Sequence, residues 1–263
     1  MSATVAAPLR LCFAAEHSVA QLEDVTKVYG HGPTAVTALQ DVSFAVGRSE
    51  FVCILGASGC GKSTLLTLLA GLDRVSRGNI SIGVAQPSLM FQEPALLPWL
   101  TVRRNIELPL RLKHLDNLAR QRVVNRLLNM VGLIDFADHR PHQISGGMAQ
   151  RAALARALAH DSELLLMDEP FAALDAITRD QLHDDLNRIW EETGKAIVFV
   201  THNVREAVRL GDRVILLTTR PGRVGRVWDV DIPRPRELDS IAVASLATEI
   251  TAWLRLEMGH AEE

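Results

Sequence analysis

The sequence predicts an α/β fold built on a parallel sheet with a helical insertion, and three observations predict it. An apolar strand, Phe51–Leu55, runs into Gly56-Ala-Ser-Gly-Cys-Gly-Lys-Ser-Thr64 and then into a helical run. Strand, helix and strand follow one another over residues 163–200, an order that requires crossover connections and therefore parallel pairing. Between residues 101 and 159, leucines and valines recur at helical spacing and no strand interrupts them.

The elements follow in order. The first twenty residues hold Arg10 as their one basic group and no sustained apolar run, unlike a secretory signal. Residues 1–18 are therefore expected to form a loose or strand-forming extension. Short β-prone segments at 25–29, 42–46 and 51–55 are separated by Gly-rich or polar turns and read as strands. Helical character from Leu65 to Ala70 stops at Gly71. Strands return at 163–167, 196–200 and 214–217, with an amphipathic helix over 179–193. Arg220-Pro-Gly-Arg223 reads as a type II turn joining two strands. In the tail, 231–263, Ile241, Leu246, Ile250, Trp253 and Leu254 are spaced to line one helix face, against the core, a partner or a second protomer.

Composition sets outer bounds. At 263 residues and 48% hydrophobic content, the chain supports a large core in one or two domains. The net charge of −3 and the scattered basic residues give no electrostatic footprint for nucleic acid. Cys12, Cys53 and Cys60 lack metal-ligand spacing and even pairing, which fits a reducing compartment, by default the cytoplasm. The apolar runs last a handful of residues, short of the roughly 20 that a spanning helix needs.

The chemistry is concentrated in a few motifs. Gly56-x-x-x-x-Gly61-Lys62-Ser63 is a Walker A pattern between a strand and a helix, a match that arises by chance in roughly one chain in a hundred at this length. Gly56, Ala57, Ser58, Gly59, Cys60 and Gly61 let successive N–H groups face an anion. Lys62 reaches the outer phosphates, and the hydroxyl of Ser63, beside Thr64, meets Mg²⁺. Cys60 sits next to a helix start, a setting that stabilises thiolate. Leu164-Leu-Leu-Met-Asp168-Glu169 is an apolar strand ending in two carboxylates. Asp168 would hold Mg²⁺, leaving Glu169 to polarise a water. His202 follows a strand, where ligands of open sheets collect, although a histidine there is more often structural. Tyr29, the single tyrosine, precedes the loop and can stack on a base; Gln92 follows Leu89-Met-Phe91. Ser145-Gly-Gly147 opens a helix-prone run, either as plain loop glycines or as an exposed helix start for an anion.

Tyr29, the Walker A loop, Gln92 in Phe91-Gln-Glu-Pro94, Ser145-Gly-Gly-Met148, Asp168-Glu169, Ala173-Leu-Asp175 and His202 resemble, in order and approximate spacing, the motif set of the ATP-binding cassette (ABC) ATPases. The resemblance covers roughly residues 19–227. It implies a P-loop, RecA-like α/β core over about 19–230, with an antiparallel β subdomain, a helical subdomain at about 95–160, and a C-terminal helical tail. It further implies ATP and Mg²⁺ as cofactors, Gln92 as a sensor of Mg²⁺ and water, and His202 on the γ-phosphate. Tyr29 would lie on the base and Asp175 in a loop between protomers. A head-to-tail homodimer is implied, with Ser145, Gly146, Gly147 and Met148 touching the partner's nucleotide. The signature departs from the usual leucine and glutamine at Ile144 and Met148; the serine and both glycines are intact.

Phe91-Gln-Glu-Pro-Ala-Leu-Leu-Pro-Trp-Leu-Thr101 and Thr219-Arg-Pro-Gly-Arg-Val224 resemble the nitrate, sulfonate and taurine branch of bacterial importers. The expectation is an ATPase subunit at the cytoplasmic face of the inner membrane, bound to an integral permease and served indirectly by a periplasmic solute-binding protein. Leu96-Leu-Pro-Trp99 would be either an apolar anchor for that permease or core. The alternatives are an importer of another solute, or a soluble ABC ATPase of DNA repair, which usually carries a long coiled coil or zinc modules within its cassette. A translation-associated relative carries two cassettes, and a GTPase carries Asn/Thr-Lys-x-Asp; neither feature occurs here.

Overall fold

The computed structural model describes residues 18–259. Cys12 and the expected N-terminal extension, apart from Ser18, lie outside the described residues. Two sheets organise the chain. In the first, β1 (Ser18–Tyr29) pairs antiparallel with both β2 (Val36–Gly47) and β4 (Arg77–Ile82), giving the order β2-β1-β4. Inward positions such as Leu22 and Val25 are buried between more exposed neighbours, the pattern of a sheet with one covered face.

The second sheet has the order β5-β6-β7-β3-β8-β9, from β3 (Phe51–Leu55), β5 (Ser88–Met90), β6 (Leu164–Asp168), β7 (Ala196–Thr201), β8 (Arg213–Leu217) and β9 (Val224–Asp229). Its first five strands are parallel, as expected; β9 turns back antiparallel along β8. Every residue of β3, β7 and β8 is buried, because helices or the first sheet cover both faces. Along β3 the side chains alternate between two cores. Phe51, Cys53 and Leu55 join the helices, whereas Val52 and Ile54 join the first sheet and α1 (Lys62–Leu69).

The helical stretch resolves into α2 (Val102–Leu112), α3 (Asn117–Met130) and α4 (Gly146–Ala159). Each starts at a polar side chain that accepts from its own first turn: Thr101 from Arg104 N, Asp116 from Leu118 N and Ala119 N, and Ser145 from Met148 N. Helix α5 (Ala176–Thr193) follows β6, and α6 (Val204–Leu210) follows β7. The tail forms α7 (Ile241–Gly259), which buries Val243, Ala247 and Ile250 against the core, with Leu246, Trp253 and Leu254 partly buried beside them. Ile241 is 88% exposed, so the buried face begins two residues later than expected.

One ion pair ties the two sheets together. Arg213, at the start of β8, meets Glu50 at 2.9 Å and also donates to the carbonyl of Ala45 on β2, while Glu50 accepts from Gly47 N at 2.6 Å. Burial pushes the Glu50 carboxyl up despite the neighbouring guanidinium, so desolvation outweighs attraction here. Removing one partner strands the other's charge. Glu50→Ala should therefore cost about 3–5 kcal/mol and lower the melting temperature by roughly 10 °C or more; an unchanged melting curve would show that the pair holds nothing together.

Candidate active site

Strand order brings distant residues together. In the sequence β3 and β6 are separated by more than a hundred residues, yet only β7 stands between them in the sheet. Leu55 is level with Thr201 and with Leu216, and Asp168 is level with Val200. The segments leaving these strands consequently meet at one carboxyl edge, the place where open α/β sheets bind ligands. A cavity of about 640 Å³ lies there. Of the expected nucleotide residues, Ser58, Gly59, Gly61, Lys62, Ser63 and Thr64 line it, joined by Gln92, Asp168 and Glu169.

The loop that forms its floor is held by close contacts. Gly61 caps α1 with φ +98°, and a Cβ there would stand 2.7 Å from Leu39 Cδ2 and 2.9 Å from the Ala38 carbonyl. Lys62 is 6% exposed and donates to the carbonyls of Gly56 (2.9 Å) and Ala57 (3.0 Å), with Glu169 Oε1 at 3.6 Å. Glu169 follows β6 in the left-handed region, φ +42°, a conformation that side-chain-bearing residues seldom hold without cause. Its other oxygen, Oε2, lies 2.8 Å from His202 Nδ1. One carboxylate therefore joins the ends of β6 and β7 to the loop after β3.

Asp168 lies beside the Ser63 hydroxyl. Burial pushes its carboxyl up, and the Glu169 charge adds to this, against the opposing pull of the Ser63 hydrogen bond and Lys62. A hard dication held mainly by phosphates needs only one or two oxygen ligands from protein, and a hydroxyl next to a charge-strained carboxylate fits that requirement.

Other expected residues stand apart from the cavity lining. Tyr29, 42% exposed, has Lys27 Nζ 4.7 Å over its ring and donates to Asp73 at 3.2 Å. Its cross-strand partner Val36 takes the lining position, so Tyr29 stands beyond the rim. Gly56 and Ala57 lie beneath the loop, offering carbonyls to Lys62. Cys60 is fully buried, and its N–H donates to the Ala57 carbonyl at 3.3 Å. Burial pushes its thiol up, which overturns the expectation of a stabilised thiolate: the side chain is packed under Gly56, away from the anion-facing surface. His202 lines a smaller cleft behind Glu169 with Thr201 and Asn203.

Ser145 and Gly146 are exposed at the start of α4 and do not line this chain's own cavity. Gly147 is buried, and a Cβ on it would stand 2.5 Å from Thr178 Cγ2, so its lack of a side chain serves packing on α5. Met148 is half-buried against the core. Asp175 caps α5, accepting from Thr178 N at 3.0 Å, and this bond holds its carboxyl below the ordinary range. Two groups of lining residues escaped the sequence reading. Val36, Thr37 and Ala38 carry no polar signature; Arg220 lay within a stretch taken for a turn. That stretch does connect β8 to β9, but Gly222 is outside the left-handed region, so it is not a type II turn.

Comparison with known proteins agrees with this geometry. Residues 39–172 match the ABC transporter family. A taurine import ATP-binding protein of Burkholderia pseudomallei is 45% identical over 219 residues, covering 81% of this chain and 84% of that one. A nitrate import ATP-binding protein of Synechococcus elongatus is 39% identical over 240 residues, covering 86% and 88%. Among solved structures, a dimeric ATP-binding cassette bound to ADP and phosphate in a post-hydrolysis state superposes with a TM-score of 0.71 at 34% identity, over 81% of this chain and all of that one. Identity of this extent reaches well beyond the phosphate loop, and the chain belongs to the ABC transporter family as one of its ATP-hydrolysing ATPases.

Proposed function

We propose that this chain powers import of a small anion such as nitrate, taurine or an alkanesulfonate. It would work as an ATP-dependent head-to-tail homodimer beneath a separate integral permease, at the cytoplasmic face of the membrane, with a periplasmic binding protein delivering solute. The observation that carries the reading is the junction of Lys62, Asp168 and Glu169 at one cavity. Taurine and nitrate relatives at comparable identity support the anion class and leave the individual solute to the permease and binding protein. Among the described residues no helix is long and apolar enough to cross a membrane. Trp99 is 67% exposed and Phe91 48%, so Trp99 is not core and both are available to a permease helix.

In this reading Ser63 and Asp168 would hold Mg²⁺, with Gln92 of the same cavity lining as its sensor, and the ion would supply charge neutralisation to the phosphates. Lys62 binds the outer phosphates and Tyr29 meets the base at the rim. Glu169 takes the proton of the attacking water, and His202, 2.8 Å from it, orients that carboxylate and reaches the γ-phosphate. A Glu169→Gln subunit co-purified with its permease should keep MgATP binding. It should lose about 10²- to 10⁴-fold in turnover and should not drive uptake of nitrate, taurine or alkanesulfonate. Loss of ATP binding along with turnover would make Glu169 structural, and uptake of none of these anions by the wild-type assembly would remove the solute class.

Asp168 generates a second test through its raised pKa. The unfolded chain ionises this group first as pH rises, so the native state carries a penalty that is complete above the native value and absent below the ordinary carboxylate range of about 4. Asp168→Asn should thus melt higher than wild type at pH 7, by about 2–4 °C per kcal/mol relieved. The difference should vanish on acidification below that range, and the variant should not hydrolyse ATP. An equal melting temperature at pH 7 would remove the electrostatic argument.

The exposed Ser145 and Gly146 serve a partner in this reading. Protomers carrying Lys62→Ala and protomers carrying Ser145→Arg should each be inactive alone. In a mixed dimer built in trans, both lesions fall in one site and the other is intact. After subunit exchange, up to roughly a quarter of wild-type ATPase activity should return if one site fires alone. No recovery of activity or of ATP-dependent dimerisation would favour plain loop glycines.

A further inference from the structure

Four of the five parallel strand ends are accounted for: β3 by the phosphate loop, β5 by Gln92, β6 by Asp168 and Glu169, β7 by His202. The fifth, β8, leads into residues 218–223, and this turn is fixed to the site from two sides. Gly222 N donates to the Ala38 carbonyl at 3.0 Å, Gln40 N donates to the Gly222 carbonyl at 2.9 Å, and Arg223 reaches Gln40 Oε1 at 2.6 Å. A Cβ on Gly222 would collide with the carbonyl oxygen of Cys60, so the turn rests directly on the phosphate loop. Held this way, Arg220 adopts φ +33°, a left-handed conformation imposed on a side-chain-bearing residue, and its side chain lines the same cavity as Lys62.

The guanidinium lies over Gly59: a Cβ built there would stand 3.5 Å from Nη2 and 4.0 Å from Nε. Among the described residues Arg220 has no hydrogen bond or ion pair, whereas Arg223, Arg226 and Arg234 of the same region are each bonded. Charge balance points the same way. The cavity's ionisable lining is Lys62, Asp168, Glu169 and Arg220, so without Arg220 the protein side is net negative where a polyphosphate must sit.

We propose that Arg220 is a nucleotide-binding residue, a second cation that grips the phosphate chain over Gly59 from the β8 side of the loop, opposite Asp168 and Glu169. This rests on the reading of the cavity as an ATP site. A planar guanidinium presenting several donors suits non-bridging phosphate oxygens. Its place away from Glu169 makes it a determinant of binding rather than of the chemical step, for ADP as well as ATP.

The test is calorimetric titration of the full chain with MgADP and with the Mg²⁺ complex of a non-hydrolysable ATP analogue, for wild type, Arg220→Ala, Arg220→Lys and Lys62→Ala. Arg220→Ala should weaken both nucleotides by about 10- to 100-fold, the worth of a charged hydrogen bond, with Arg220→Lys in between. The variant's affinities should depend less on salt, and its steady-state defect should appear in KM with kcat within about twofold. Its nucleotide-free melting temperature should match wild type, because the side chain is exposed and unbonded. Wild-type affinities in Arg220→Ala, with binding lost in Lys62→Ala, would overturn the proposal and leave the site reading intact. A lowered nucleotide-free melting temperature would assign Arg220 to the fold and overturn it too. A wild-type chain that binds neither nucleotide would remove the site reading and the proposal with it.

Discussion

The in-register parallel pairing of β6, β7, β3 and β8 is the constraint on which the site depends. These strands end within one residue of the same level, so the residues just past their ends become neighbours without any contact in sequence. What protects this register is packing rather than the site itself. Phe51, Cys53 and Leu55 face one core while Val52 and Ile54 face the other. A one-residue slip of β3 would send each set into the core built for the other and misalign the loop, the carboxylates and His202 together. The Glu50–Arg213 pair stands at the opposite end of β3 and β8, where it fixes the sheet's amino edge to the first sheet.

Given that frame, the charges at the carboxyl edge are shared rather than separately satisfied. Lys62 is almost fully buried, donates to two loop carbonyls and is ion-paired with one oxygen of Glu169, whose other oxygen meets His202. An anion seated on Lys62, as proposed for the phosphate chain, would compete with Glu169 for the same ammonium and so loosen that carboxylate. The left-handed backbone of Glu169 belongs to the same economy of space: its N–H donates to the Val200 carbonyl at 3.0 Å, which turns the chain sharply and aims the carboxylate back over the loop. Asp168, one residue earlier, is aimed at Ser63 instead.

Much of this was legible in the sequence because it depends on local chemistry. The buried strands β3, β6, β7 and β8 are continuous apolar runs, and the phosphate loop and the two carboxylates sit at their ends. Strand β4 escaped because it is largely exposed and polar, Arg-Gly-Asn-Ile-Ser-Ile, with little periodic signal, and β5 because three residues carry no period at all. Cys60 was misread since adjacency to a helix start predicts an exposed thiol only if the side chain points outward, and here it fills the space under Gly56. Ile241 fits the helical spacing of its neighbours, but α7 begins there, before the helix reaches the core. Arg220 escaped for a different reason. A Pro-Gly pair explains a turn so readily that the arginine before it looked incidental, and only the packing of Gly222 on Cys60 shows where that arginine is held.

The start of α4 shows how one sequence feature serves two structural demands. Gly147 is small because Thr178 of α5 leaves no room for a side chain, which is a matter of packing within the chain. Ser145 is spent on capping, and Gly146 stands exposed, so the polar edge of this helix faces outward. Further along the same helix, Gln150 donates to the Gln92 carbonyl at 2.8 Å, and Arg156 donates to the carbonyls of Pro94 at 2.8 Å and Ala95 at 2.7 Å. The loop that brings Gln92 to the cavity is thus bonded along its backbone to the helix whose start faces outward. A displacement of Gln92 and a displacement of α4 are one motion unless these bonds break. Since partial burial lowers the Arg156 pKa, leaving those carbonyls would strand a half-buried charge. The connection between the cavity edge and the outer face of the helical segment is therefore one of hydrogen-bond satisfaction, and it runs through the stretch that carries the exposed Phe91 and Trp99.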